Sequence, residues 1–65
     1  MKKKELERAL QRLGWFLKRQ GGSHEVWTNG EATEPVPRHT EINELLAKKI
    51  LNKAKNNPPK KEAEE

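Results

Sequence analysis

Residues 21–30 read Gly21-Gly22-Ser23-His24-Glu25-Val26-Trp27-Thr28-Asn29-Gly30, an alternating run held between two glycine-bearing turns. Successive side chains of an extended chain point to opposite faces, so His24, Val26 and Thr28 fall on one side and Ser23, Glu25 and Trp27 on the other. The run predicts a strand over 23–28. Asn29-Gly30 is the strongest two-residue hairpin signal in the chain, because both residues tolerate positive φ, and it predicts a third strand over about 32–36. Pro35 and Pro37 place that strand at an edge, where a nitrogen without a proton leaves no ladder bond unmade. Upstream, Gly21-Gly22 turns the chain back towards a strand over 15–20 that carries two aromatics, Trp15 and Phe16.

Helical periodicity brackets these strands. Leu6, Ala9, Leu10 and Leu13 recur at i, i+3, i+4 and i+7, one face of a helix over 2–13, and Gly14 can adopt the left-handed conformation that ends it. Thr40 can cap a second helix over about 41–55, with Ile42, Leu45, Leu46 and Ile50 as its apolar stripe. Glu41 and Glu44 early, and Lys48, Lys49, Lys53 and Lys55 late, complement the helix dipole. Asn56-Asn57-Pro58-Pro59 stops that helix, and 60–65 has no large apolar side chain to anchor it. The expected organisation is a single domain over 1–55 followed by a disordered charged tail over 56–65. The fold class is α+β, with a three-stranded antiparallel sheet and two helices on one face in the order α-β-β-β-α. That order resembles the double-stranded-RNA-binding domain, a likeness of architecture that carries no activity with it.

Strand parity leaves two arrangements open. If Trp27 points into the core, His24 falls on the exposed face. If Val26 does, His24 shares the buried side and reaches solvent through the hairpin edge.

With 65 residues the chain can fill one hydrophobic core and no more. The absence of cysteine excludes a disulfide scaffold and thiolate metal sites, and a cytoplasmic location fits. No apolar run exceeds three residues, so neither a signal-peptide core nor a membrane span is expected. Fourteen Lys and Arg against ten Asp and Glu leave a net charge of +4. That balance attracts a polyanion, although small domains also carry such charge for solubility alone.

The chemistry within reach is narrow. His24 and Glu25, or His39 and Glu41, are neighbouring donors, but neither spacing forms a recognised metal site, so neither a metal nor any other cofactor is expected. Ser23 lacks a G-x-S-x-G elbow and points away from His24 on a strand. Gly21-Gly22 has no helix behind it to make a phosphate loop. RNA is the substrate for which one imidazole on a basic surface suffices. Its 2′-hydroxyl is an internal nucleophile beside the phosphate it attacks, and imidazole exchanges protons near neutral pH. Lysines and arginines would hold the phosphate.

Gly22-Ser23-His24 followed by Trp27, then Val36-Pro37-Arg38-His39, then Glu41-Ile42 and a Leu- and Ile-bearing helix, resembles the HicA toxin family over about residues 6–55. The resemblance implies metal-independent cleavage of messenger RNA, a HicB-type antitoxin partner in a hetero-oligomer, and a catalytic histidine in the Gly-Ser-His motif, which is His24 here. His39 is the candidate for a second acid or base. Lys18, Arg19, Arg38 and His39 are the candidates for contacts with RNA. Two other readings fit the same residues: a non-catalytic RNA-binding module, and a protein-interaction domain whose lysines serve solubility.

Overall fold

The structure, a computed structural model, describes residues 1–59. Helix α1 (Lys3–Arg12) is followed by strands β1 (Phe16–Gln20), β2 (His24–Thr28) and β3 (Thr33–Pro37), and the chain closes with helix α2 (Glu44–Asn56). The strands form one antiparallel sheet in the order β1-β2-β3, which makes β2 central and puts the proline-bearing β3 at an edge, as its sequence requires. The α-β-β-β-α order and the three-stranded sheet agree with the sequence reading. No helix among the described residues is long and apolar enough to cross a membrane.

Helix α1 ends as its glycine predicts. Gly14 takes φ +89°, its N–H donates to the Gln11 carbonyl at 2.9 Å, and the Trp15 N–H donates to the Leu10 carbonyl at 2.9 Å. This paired closure satisfies two carbonyls of the last turn and drops Trp15 into the core beside Leu10. Beyond α2, the Asn57 carbonyl accepts from the Trp15 indole at 3.0 Å and from the Asn29 amide at 2.8 Å. The ordered contacts therefore run past residue 55, and of the expected tail only 60–65 lies outside the described residues.

Two local expectations are corrected. Thr40 does not cap α2; Asn43 does, its side-chain oxygen accepting from the Leu45 and Leu46 N–H groups at 2.9 and 3.3 Å. Residues 40–42 cannot be helical because their backbone is committed elsewhere. Lys3 N–H donates to the Thr40 carbonyl at 2.9 Å, Ile42 N–H donates to the Met1 carbonyl at 2.7 Å, and Lys2 and Glu41 form an antiparallel bridge. Ile42 is buried as a strand-like residue; of the expected stripe Ile50 is also buried and Leu46 packs partly buried against the core, Leu45 is exposed, and Ala47 and Ala54 complete the buried face of α2. The β2-β3 connection also differs, since Thr28 pairs with Thr33 and leaves four residues in the loop where two were expected. The Asn29 side-chain oxygen accepts from both the Glu31 and Ala32 N–H groups at 2.7 Å, a local turn that competes with the two-residue hairpin, and Gly30 supplies the positive φ.

Parity is settled by burial. Trp27 is 3 % exposed and Val36, across from Glu25, is fully buried, so this face of the sheet packs with Leu6 and Leu10 of α1 and Ile50 and Ala54 of α2 into one core. Glu25 goes in with Trp27. Its carboxylate accepts from the Trp27 indole at 3.0 Å and from the Lys3 ammonium at 2.9 Å, and Lys3 also bonds Glu7 one helical turn along α1. Burial pushes the Glu25 carboxyl up, but the hydrogen bonds from Lys3 and Trp27 and the nearby charges of Lys3 and Arg38 outweigh it and hold the group below its ordinary value. Burial likewise pushes Lys3 down, and Glu7 and Glu25 together raise it above its ordinary value.

The signs of these shifts fix a pH dependence. A depressed carboxyl contributes stability above its ordinary 4.5 that is lost as pH falls through the lower folded value, and a raised ammonium contributes up to 10.5 and loses that contribution above it. Removing one partner of a buried pair leaves an uncompensated charge and costs about 3 kcal/mol. Lys3→Met is therefore expected to lower urea-unfolding stability by about that amount at pH 7, with the gap to the parent narrowing as pH falls from 5 to 3; a gap constant with pH removes the Glu25 charge as its cause. Asn43→Ala is expected to cost about 1 kcal/mol by the same measurement, whereas Thr40→Ala changes stability by no more than about 0.5 kcal/mol.

Candidate functional site

His24 is the first residue of β2 and lies opposite Pro37 of β3, on the sheet face away from Glu25 and Trp27, with its side chain exposed. The turn in front of it is pinned from both sides. Gly21 N–H donates to the His24 carbonyl at 2.7 Å, and the backbone N–H of Arg38 donates to the Ser23 carbonyl at 3.1 Å. The Arg38 guanidinium then reaches the Gly21 and Gly22 carbonyls, each at 3.3 Å. Arg38 thus braces the loop that carries His24. Neither glycine of the turn has positive φ. A Cβ at Gly21 would sit 3.0 Å from the His24 carbonyl oxygen, so the close turn itself favours glycine there, while a Cβ at Gly22 would meet nothing within 4 Å. The bare backbone at Gly22 leaves the approach to the loop open.

Two concavities meet beside this turn. One, of about 360 Å³, is a groove lined by His24, Pro37, His39, Glu41, Ile42, Asn43 and Leu46. It lies where the end of β3 meets the first turn of α2, and the 39–43 segment forms its wall because that segment is held extended against residues 1–3. Both histidines of the chain line it. The other, of about 490 Å³, is a cleft between the start of α1 and the 38–40 segment, lined by Lys2, Lys3, Lys4, Glu7, Glu25, Arg38, His39 and Thr40. Its floor is the Lys3–Glu25 pair, which stays ionised across the neutral range because each partner's shift favours its charge. His39 lines both spaces.

The chemistry available is proton transfer by two imidazoles at one open groove, with cations a wall away. Among the described residues no group of three or more His, Cys, Asp or Glu side chains gathers as a metal site. Of the residues singled out from sequence, His24 and His39 are brought together, and Arg38 sits beside both through the turn it braces. Lys18 and Arg19 are exposed on β1, the edge strand away from β3, and line neither concavity. Sequence reasoning missed Lys2 and Lys4, which reach the site only because residues 1–3 pair with 40–42. A run of three lysines at the start of an amphipathic helix was the visible signal, and the bridge from Lys2 to Glu41, 39 positions away, was not.

Leu45 stands 73 % exposed on the first turn of α2, next to Leu46 of the groove, and Phe16 and Leu17 on β1 are 52 % and 41 % exposed. These side chains give the surface apolar area near and away from the groove.

No curated protein and no solved structure shows significant similarity to the chain. The family model described as HicA toxin of bacterial toxin-antitoxin systems matches residues 4–55, a span that takes in both helices except Lys3 and Asn56 at their outer ends, the whole sheet and the residues of the groove, with Gly22-Ser23-His24 and Pro37-Arg38-His39 inside it. With that match over most of its length, the chain belongs to the HicA toxin family.

Proposed function

We propose that this chain is an endoribonuclease toxin that cleaves messenger RNA without a metal, with His24 as a catalytic acid or base and His39 as its counterpart. The observation that carries the reading is that the only two histidines in the sequence, 15 positions apart, line one groove open to solvent. Membership of a toxin family whose members act as mRNA interferases supplies the substrate class.

The reaction needs little from the protein. One imidazole takes the proton from the ribose 2′-hydroxyl as that oxygen attacks phosphorus, forming the P–O2′ bond, and the other gives a proton to the 5′-oxygen as the P–O5′ bond breaks. The products are a 2′,3′-cyclic phosphate and a free 5′-hydroxyl. Holding the two imidazoles on a braced turn and a pinned segment supplies the orientation that the reaction needs. General acid-base help of this kind contributes about 10²- to 10⁴-fold in rate for each group. A HicB-type antitoxin would silence the toxin by covering the groove in a cytoplasmic hetero-oligomer, and exposed Leu45 at the groove's rim is suited to burial under such a partner.

Purified protein is expected to cleave single-stranded RNA in EDTA and to leave 2′,3′-cyclic ends, and a substrate with one 2′-deoxy sugar at the cut site is expected to resist. His24→Ala should keep the parent's circular dichroism and lose activity by about 10²-fold or more. Full activity in that variant would contradict the assignment, and RNA binding without turnover in the parent would favour a non-catalytic RNA-binding module. His39→Ala is expected to fall by about 10²-fold as well if it is the counterpart, with the loss partly repaired on a substrate whose 5′-leaving group needs no proton; a variant matching the parent on both substrates would remove His39 from the chemistry.

A further inference from the structure

We propose that the cleft beside α1 is a second phosphate subsite, so that a bound RNA strand spans both concavities, with its reacting phosphate between the two histidines and the next phosphate against Lys2, Lys4 and Arg38. This rests on the nuclease reading for the register of the strand, while the subsite itself rests on the cleft's own charge and shape.

Four cations face two carboxylates across the cleft, and both carboxylates are already occupied. Glu7 and Glu25 share the Lys3 ammonium, and Glu25 also accepts from Trp27, so the floor is a closed internal network. The rim is different. Lys4 is exposed and its side chain makes no hydrogen bond or ion pair among the described residues. Lys2 meets Glu41 at 3.7 Å with both side chains about two-thirds exposed, a pairing that water and salt weaken. Arg38 uses one terminal nitrogen on the Gly21 and Gly22 carbonyls, which leaves the other N–H donors of its planar fork for an anion.

The cleft is also in the right place. His39 lines both the cleft and the groove, so the two concavities are neighbours along the surface. A nucleic-acid strand repeats its phosphates along a continuous backbone and reads such a pair of adjacent sites without any base contact. The exposed lysines Lys48 and Lys49 of α2 line neither concavity and provide a comparison of equal charge.

The test compares the parent, Lys2→Ala/Lys4→Ala and Lys48→Ala/Lys49→Ala as full chains. Binding of a fully 2′-O-methylated RNA hexanucleotide, which cannot be cut, is followed by fluorescence anisotropy across a salt series. The cleft variant is expected to bind about tenfold more weakly, with the slope of log affinity against log salt reduced by about 0.7 to 1, while the α2 variant stays near the parent. Equal losses in the two variants, or an unchanged slope in the cleft variant, would overturn the subsite. Turnover separates this from the nuclease reading: on a cleavable hexanucleotide the cleft variant should raise KM about tenfold, and on a dinucleoside monophosphate, which has no second phosphate, it should match the parent. Failure of the parent to cut either substrate would defeat the nuclease reading alone, and the binding series would still decide the subsite.

Discussion

A carboxylate occupies a position of the central strand where the burial pattern calls for an aliphatic side chain. Glu25 stands between the sheet and the start of α1, 4 % exposed, and it stays ionised there because the Lys3 ammonium and the Trp27 indole both donate to it. Removing any of the three leaves a buried polar group without a partner, a cost that an aliphatic residue at position 25 would never incur. The pair therefore contributes specificity of register more than net stability. It fastens the first turn of α1 to the middle of the sheet, and it fixes which face of β2 is inward. A one-residue slip would bury His24 and expose Trp27.

That constraint propagates to the groove by short covalent paths. With Glu25 inward, His24 is outward at the strand's first position, and the turn ahead of it is held by the backbone and side chain of Arg38. Residues 1–3, anchored through Lys3, pair with 40–42 and hold the 39–43 segment extended, which delays the start of α2 to Glu44 and leaves His39 lining the same groove as His24. The two imidazoles are thus set by one network from opposite directions. In this small chain the proposed functional surface and the folding constraint share residues, so substitutions in the floor of the cleft are expected to alter both.

Much of the architecture was legible because it rests on local rules. The stripe Leu6-Leu10-Leu13 with Gly14 marked α1 and its left-handed end, the alternation around Glu25 marked β2, and Pro35 with Pro37 marked an edge strand. What local rules could not supply was competition from distant partners. Thr40 is a sound cap by composition, but its carbonyl is claimed by Lys3, and the Asn29 side chain diverts a two-residue turn into a four-residue loop. The parity of β2 was undecided because Val26 and Trp27 are both plausible core residues, and the deciding partner, Lys3, is 22 positions away from Glu25. Of the candidate site, His24, His39 and Arg38 carried motif signals, whereas Lys2 and Lys4 became visible only through the pairing of the chain's start with the segment before α2.

If the two imidazoles placed by the buried Glu25 network share one phosphodiester site in the groove, imidazole-resolved NMR of the full chain titrated with a 2′-deoxy dinucleotide will move the His24 and His39 ring signals together, saturating at a common ligand concentration, with the Trp27 indole signal unmoved. Shifts confined to one ring, or to the backbone of Lys18 and Arg19 on β1, would contradict it.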